Sequence, residues 1–150
     1  MIIREVRAAD FEEWRELFLA YGEFYETTFS DQILEGVWAW LLSDQHPLHG
    51  FVANDRGRIV GFAHLQRQWD TFVAGAAWFL DDLYVLPEAR GAGIATALIE
   101  HARHHATTEG GGTMRWITAA TNQTAMKVYD RLAKRTSWVM YEMDERESHS

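Results

Sequence analysis

LYVLPEARGAGIA, residues 83–95, begins with an apolar run typical of a strand and ends with the start of a helical pattern. A turn with two glycines lies between the two. The first N–H groups of a helix have no internal partner and lie at the positive end of the helix dipole, and glycine lets an anion approach the backbone closely. Arg90 adds a cation directly before Gly91 and Gly93. The stretch therefore predicts either an anion-binding turn or a tight strand-to-helix connection in which the glycines only permit the turn.

Two nucleotide-binding motifs are excluded at this turn. A dinucleotide fingerprint that began at Gly91 and Gly93 would need a third Gly or Ala at the position of Thr96. The Gly-Lys-Ser/Thr ending of a P-loop is absent from the sequence. What remains is the pattern Arg90-x-x-Gly93-x-Ala95 behind a Leu-Tyr-Val strand.

This pattern resembles the coenzyme A signature of the GNAT family of N-acetyltransferases, Arg/Gln-x-x-Gly-x-Gly/Ala. A later motif, Asn122-x-x-Ala125 followed by Val128-Tyr129, is similar to the family's Asn-x-x-Ala and aliphatic-Tyr element. The resemblance covers nearly the whole chain. One departure is the family's usual Gly-Phe after the Tyr helix, which is replaced here by residues 132–137.

The resemblance implies that acetyl-CoA is the co-substrate. Its pyrophosphate would bind the turn, its pantetheine would follow the strand before the turn, and the helix of Asn122 would flank the thioester. The backbone at Val85 and Leu86 would supply an oxyanion donor. The implied coenzyme-binding residues are Leu83, Tyr84, Val85, Arg90, Gly91, Ala92, Gly93, Ile94, Ala95, Asn122 and Tyr129.

Two stretches look most like one branch of that family, the histone/polyamine and spermidine/spermine acetyltransferases. They are Phe79-Leu80-Asp81-Asp82-Leu83-Tyr84-Val85 and Trp138-Val139-Met140-Tyr141-Glu142-Met143. Members of the branch associate through their C-terminal strands. The resemblance thus implies a homodimer with Trp138 and Tyr141 at the interface, and a monomer with an aromatic core is the alternative.

Hydrophobic periodicity predicts one domain, residues 1–150, of the α/β or α+β class. The family resemblance implies a mixed, mostly antiparallel sheet flanked by helices. Asp10 is expected to begin the first helix as its N-cap, a second helix is expected to follow Ser30, and residues 54–57 read as a hairpin turn. The predicted strands are Ile2–Arg7, Phe51–Ala53, Arg58–Gln68, Ala77–Leu86, Arg115–Ala120 and Trp138–Met143, and the later helices are Gly91–Thr107 and Asn122–Lys134.

Acetyl transfer to an amine needs a group that takes a proton from the ammonium and a group that gives one to the departing thiolate. Asp81 and Asp82 are the candidates for the first role, with a purely structural carboxylate as the alternative for each. Strand alternation predicts that they point to opposite faces, so that one of them faces the acceptor. Tyr129 is the candidate general acid, because the pKa of a phenol lies closer to that of a thiol than a carboxylate's does; ordinary helix packing is its alternative.

Composition and charge limit the partners. The chain has no cysteine, a formal net charge of −8 and no apolar stretch of membrane-spanning length, so we expect a soluble cytoplasmic protein that binds neither nucleic acid nor a membrane. Between Asp10 and Asp44, nine carboxylates face one base, Arg15, which fits a solvated helix surface or a field that attracts a cation. His101, His104 and His105 lie at helical spacing, but no metal site is predicted because no third-ligand pattern accompanies them.

Together these features predict an acetyl-CoA-dependent N-acetyltransferase that acts on a primary amine, with a small cationic or polyamine-like molecule as the preferred acceptor. A protein lysine or N-terminal acceptor remains open within the same chemistry. From other classes, a non-catalytic acyl-CoA sensor and a homo-oligomeric interaction module also remain open.

Overall fold

Five strands form one sheet in chain order, β1-β2-β3-β4-β5, in the computed structural model, which describes residues 1–145. The strands are β1 Ile2–Glu5, β2 Leu48–Asp55, β3 Arg58–Asp70, β4 Gly75–Val85 and β5 Met114–Arg115. The first four pair antiparallel, and β5 runs parallel to β4. The predicted mixed, mostly antiparallel sheet is therefore confirmed.

Four α-helices accompany the sheet: α1 Phe11–Phe24, α2 Asp31–Leu42, α3 Ile94–Thr108 and α4 Gln123–Leu132. The chain divides into two compact units between Ile117 and Thr118. The sheet and α1 to α3 belong to the first unit, and α4 belongs to the second. In the described residues no helix combines the length and the apolar character needed to cross a membrane.

Helices α1 and α2 cover one face of the sheet with aromatic side chains. Trp14 and Phe18 lie one turn apart on α1, and the ring of Trp14 lies 4.8 Å from that of Trp38 on α2. Helical spacing buries this stripe against Val52 and Phe62 of the sheet. The predicted start of α2 after Ser30 is confirmed, and the Ser30 hydroxyl caps the helix by accepting a hydrogen bond from the Ile33 N–H at 3.2 Å.

Helix α3 covers the opposite face. Its predicted apolar stripe is confirmed: Ile94, Leu98, Ala102 and Ala106 are all buried. The Phe51 ring of β2 contacts His101 and His105 of α3. Since Phe51 and Val52 are neighbours in a strand, they serve the two opposite layers of the core.

Asp10 occupies the N-cap position of α1, as the sequence predicts, but its side chain makes no capping hydrogen bond to that helix. Its carboxylate accepts two hydrogen bonds from the Arg4 guanidinium, at 2.7 and 2.9 Å, and one from the Arg7 N–H at 2.7 Å. The bidentate guanidinium contact is charge-assisted and engages the oxygens that a cap would use. The buried Asp10 therefore joins β1 to the turn before α1.

The hairpin at residues 54–57 is confirmed, with positive φ angles of 56° at Arg56 and 87° at Gly57. The two strands predicted near the C-terminus are not confirmed with their predicted bounds. Instead of Arg115–Ala120, the fifth strand is Met114–Arg115, and residues 138–143 form no strand in the described chain. Residues 138–143 have strand-type composition, but a strand exists only when a neighbouring strand pairs with its backbone.

Candidate active site

The glycine turn leaves the N-terminus of α3 open. Gly91 and Gly93 have φ angles of +88° and +77°, a left-handed backbone that favours glycine. Gly93 is the N-cap residue of α3, and within residues 1–145 no side chain bonds to this helix end as a cap. Apart from each glycine and its two chain neighbours, no heavy atom of the described residues lies within 4 Å of the position of a Cβ at Gly91 or Gly93. The turn therefore offers free N–H groups and open space, as an anion site requires.

Arg90 is fixed beside this turn by two contacts. Its Nε donates a hydrogen bond to the Val85 carbonyl at 2.9 Å, and its guanidinium carbon lies 5.5 Å from the centre of the Tyr84 ring. Both partners lie at the end of β4. The cation predicted from the sequence is thus held between the strand and the helix N-terminus.

The end of β4 has an open edge on one side. Among the described residues β4 pairs with β5 at Trp78 and Phe79, so the backbone around Leu83, on the β5 side, lies beyond that pairing. The Leu86 N–H already donates to the Val60 carbonyl at 2.9 Å. This N–H is therefore not available to an oxyanion. Of the two predicted backbone donors, the Val85 N–H remains the candidate.

A β-bulge changes the direction of the two neighbouring carboxylates. His64 pairs with Asp82 and Leu65 pairs with Leu80, so Asp81 is an extra residue on β4. The predicted alternation to opposite faces is therefore wrong, because a bulge adds a residue and resets the alternation. Both carboxylates line the same pocket, on the side of α1 and α2.

This pocket has a volume of about 130 Å³. Trp40 and His46 form part of its wall, with rings stacked at 4.8 Å and 6° between their planes. It is lined by Phe18, Val37, Trp40, His46, Leu48, His64, Gln66, Asp81 and Asp82. The pocket therefore combines an apolar and aromatic wall with two carboxylates.

Asp82 is held by donors from two other elements. Its Oδ2 lies 2.8 Å from His64 Nδ1, and the Tyr21 hydroxyl of α1 also donates to this carboxylate. Burial, followed by the charge and the hydrogen bond of Asp82, raises the pKa of Tyr21 well above its usual range. Tyr21 thus remains a phenol and a donor. The sequence gives no functional signal at His64 beyond a polar residue within the apolar run of β3.

Asp81 has a different environment from its neighbour. Partial burial, followed by the charge of Asp82, raises the pKa of Asp81 to about 6, against a lowering contribution from His64. A carboxyl group with this pKa is charged at neutral pH and is a better proton acceptor than an ordinary aspartate. The pair therefore joins a fixed anion to a neighbouring group that can gain and lose a proton.

In the second unit, Asn122 and Tyr129 belong to α4. The Asn122 Oδ1 accepts a hydrogen bond from the Ala125 N–H at 3.2 Å, so this side chain caps the helix. The predicted helix at Asn122–Lys134 is confirmed with the shorter bounds Gln123–Leu132. The roles of Asn122 and Tyr129 toward a coenzyme remain predictions.

The histidines of α3 lie on the face opposite the pocket. The His105 ring lies 4.6 Å from that of His49 in β2, and the His101 ring lies 5.0 Å from that of Phe51. Within residues 1–145 no group of three or more His, Asp or Glu side chains is arranged to hold a metal ion. These imidazoles therefore belong to the packing of α3 on the sheet.

Comparison with known proteins gives similarity over almost the whole chain. Residues 9–133 match the acetyltransferase (GNAT) family. The D-amino-acid N-acetyltransferase HPA3 of Saccharomyces cerevisiae is 27% identical over 143 residues, which are 94% of this chain and 89% of that protein. The crystal structure of a probable acetyltransferase shares 25% identity with a TM-score of 0.83, over 97% of this chain and 100% of that one. The aminoglycoside N-acetyltransferase AAC(6')-Iy, in complex with CoA, shares 27% identity with a TM-score of 0.81, over 96% and 94% of the two chains.

Proposed function

We propose that this chain, which belongs to the acetyltransferase (GNAT) family, acetylates the primary amine of a small cationic molecule that carries no carboxylate. Family membership makes it an acetyl-CoA-dependent N-acetyltransferase, and the identity of the acceptor is the proposal. The observation that carries it is the pocket: two of its nine lining residues are Asp81 and Asp82, and none of the nine is Lys or Arg.

The coenzyme fits the turn described above. The open N-terminus of α3, the left-handed Gly91 and Gly93, and the anchored Arg90 together suit a pyrophosphate. We propose that the edge of β4 from Leu83 to Val85 holds the pantetheine, and that Asn122 and Tyr129 complete the set. Acetyl-CoA, when bound, supplies a thioester carbonyl to the amine.

We propose that Asp81 and Asp82 of the pocket handle the ammonium of the acceptor, and that Tyr129 of the second unit supplies the proton of the leaving group. Asp82, fixed by its donors, holds the incoming ammonium by charge, and Asp81 takes one of its protons. The freed nitrogen lone pair forms the N–C bond as the C–S bond breaks. The Tyr129 hydroxyl then gives its proton to the departing sulfur, and the second proton that the nitrogen loses on forming the amide restores the Tyr129 hydroxyl through solvent. The proton on Asp81 leaves to solvent before the next cycle.

The charge of the pocket argues against an amino acid as the acceptor. An amino acid carries a carboxylate, which Asp81 and Asp82 would repel and for which the described lining has no basic side chain. The yeast relative is named for D-amino acids and AAC(6')-Iy for aminoglycosides; of these two classes, only aminoglycosides are polycationic. The resemblance to the histone/polyamine and spermidine/spermine branch supports the same proposal.

An amine panel with a free-thiol readout tests the acceptor. It contains an aliphatic diamine, the monoamine of equal length, a D-amino acid and a lysine peptide, all at saturating acetyl-CoA. We expect the highest kcat/KM for the diamine and the lowest for the D-amino acid. Preference for the D-amino acid contradicts the proposed acceptor, preference for the peptide supports the protein-lysine alternative, and coenzyme binding without thiol release on any amine supports the sensor.

We further propose a cytoplasmic homodimer. The cysteine-free sequence fits a reducing compartment. The C-terminal segment from Trp138 to Met143 exposes most of its apolar side chains, with Trp138 83% and Tyr141 92% exposed. Aromatic residues and methionine are enriched at protein interfaces, so this segment is the proposed contact with a second copy.

A further inference from the structure

His64 is a buried polar side chain that enters the chemistry above only as a donor to Asp82. Among residues 1–145 the buried polar side chains are Asp10 and His64, and Asp10 is accounted for by Arg4 and Arg7. His64 is 1% exposed and stands in the apolar run of β3, directly opposite Asp82. A buried imidazole in this position calls for a partner at each ring nitrogen.

Both ring nitrogens have such a partner, and together they fix the tautomer. The Trp14 indole Nε1 lies 3.0 Å from His64 Nε2. An indole nitrogen can only donate, so Nε2 must accept and carries no proton. The proton of the neutral ring is therefore on Nδ1, from which it is donated to the Asp82 carboxylate at 2.8 Å.

We propose that His64 is a positioning residue of the acceptor site: Trp14 holds its ring in the Nδ1–H form, and the ring in turn holds Asp82 as the anion beside Asp81. The inference rests on the proposed function, because it requires the acceptor amine in this pocket. Hydrogen bonds run from Trp14 of α1 through His64 of β3 to Asp82 of β4. In this proposal they determine which of the two carboxylates takes the proton.

The surroundings of the pair agree with this role. The groups that face it are Tyr21 from α1, His46 from the segment between α2 and β2, and His64 and Gln66 from β3. Of these, His64 and Tyr21 donate to Asp82. These contacts hold the Asp82 carboxylate in place beside Asp81, where its charge contributes to the raised pKa of Asp81.

Two substitutions at one position separate positioning from packing. His64→Asn keeps an amide N–H near the place of Nδ1, whereas His64→Leu keeps the bulk and removes the donor. Without the His64 donor, Asp81 and Asp82 together should hold a shared proton more tightly. Because catalysis requires both carboxylates to be ionised, activity should then begin at a higher pH. Starting from the Asp81 pKa of about 6, we expect the acid limb of kcat/KM for a diamine to move up by about one pH unit in His64→Leu, with about a threefold loss near pH 6.5. His64→Asn should restore most of both.

The control is His49→Leu, which removes a half-buried imidazole on the α3 face and should leave the acid limb in place. Nitrogen-15 spectra of the histidine side chains in the wild-type protein give a readout that does not depend on any variant folding. We expect the neutral Nδ1–H tautomer at His64 at pH 7.5. An Nε2–H tautomer or an imidazolium there overturns the proposal.

Asp81→Asn and Asp82→Asn distinguish failure of this inference from failure of the proposed function. If both variants keep the wild-type kcat/KM, the acceptor does not use this pocket, and the role of His64 falls with it. If they lose activity while folded His64→Leu keeps the wild-type pH profile, the acceptor site stands and His64 is a packing residue.

Discussion

At the scale of single residues, two neighbours of the same type have different chemistry. Asp82 accepts hydrogen bonds from β3 and α1, whereas Asp81 is partly desolvated beside the charge of Asp82. The bulge that brings both into one pocket depends on the pairing of β4 with β3. Sequence therefore predicts the carboxylates as candidates, and the tertiary structure divides their roles.

Tyr129 is the residue for which the proposed role is most easily separated from packing. Tyr129→Phe keeps the ring and removes the hydroxyl, so acetyl-CoA affinity should persist while kcat falls by about a hundredfold, a usual loss for a general acid. Isothermal titration and steady-state kinetics with a diamine measure the two effects. Tyr141→Phe is the matched control on an exposed tyrosine. A wild-type kcat in Tyr129→Phe, with chemistry shown to be rate-limiting, contradicts the assignment.

At the scale of elements, the turn from β4 to α3 is where a substitution should affect the coenzyme and little else. Gly93→Val places a side chain in the open space before α3 at a φ of +77°, so it should block the approach of a phosphate and strain the backbone. Arg90→Ala should weaken the binding of acetyl-CoA by about 1.5–3 kcal/mol, because a charge-assisted hydrogen bond typically contributes this much.

Gly57→Val is the matched control for Gly93→Val, since Gly57 has a φ of +87° and equally open space in the β2–β3 hairpin. It imposes a similar backbone strain far along the sequence from the turn, and its acetyl-CoA affinity should equal that of the wild type. Titration calorimetry on all three folded variants gives the comparison. Unchanged affinity in both Gly93→Val and Arg90→Ala would remove the turn from the coenzyme site.

The packing of α3 on the sheet should depend on pH through its histidines. Burial, followed by His105, lowers the pKa of His49, and burial, followed by His104 and His105, lowers that of His101. The unfolded chain thus binds more protons than the folded one as the pH falls below the unfolded value of 6.5. Stability present above pH 6.5 is therefore lost below it.

Urea unfolding at pH 7.5 and pH 5.5 measures this loss. In the double variant His49→Gln and His101→Gln the difference between the two midpoints should shrink, because neither side chain titrates. The exposed His104, as His104→Gln, is the control and should leave most of the difference. A double variant with the full wild-type difference would place the pH dependence on other groups.

Whether the sequence predicts a feature depends on whether its contacts join residues that are close together or far apart in the sequence. The turn, the stripe of α3, the start of α2 after Ser30 and the hairpin at Gly57 are local patterns, and the structure confirms them. The bulge at Asp81, the bond from Trp14 to His64 across 50 residues, and the use of Asp10 by Arg4 depend on which segments meet. No window of sequence carries that information, so these features became visible only in three dimensions.

At the scale of the whole molecule, the acidic first helices lie over the pocket. Nine carboxylates occur between Asp10 and Asp44; Asp10 pairs with Arg4, and Asp31 pairs with Arg15. Because Phe18, Val37 and Trp40 of these helices line the pocket, the remaining negative charge should attract a cationic acceptor. We expect kcat/KM for a diamine to fall as ionic strength rises and the screening length contracts to about 8–10 Å.

The salt experiment needs a second acceptor whose amine has a low pKa and is neutral at the assay pH. Acetyl-CoA is kept saturating throughout, so that screening of its own phosphates does not enter. The neutral amine should show a much flatter salt profile than the diamine. Profiles that coincide would mean that the acidic residues of α1 and α2 form only a solvated surface.

The same scale includes association. Exposed apolar side chains in contiguous order are uncommon on a monomer surface, and Trp138, Val139, Met140, Tyr141 and Met143 are 83%, 74%, 63%, 92% and 91% exposed. Multi-angle light scattering at micromolar concentration should therefore give twice the chain mass of 17.3 kDa, and Trp138→Ser with Tyr141→Ser should shift the protein toward a single chain. Trp69, a tryptophan of the first unit, is 75% exposed. Trp69→Ser is therefore the control for nonspecific association through exposed aromatic side chains, and it should leave the dimer intact. A wild-type mass of one chain refutes the dimer, whereas a dimer that survives the loss of Trp138 and Tyr141 but not of Trp69 places its interface on the β3–β4 hairpin.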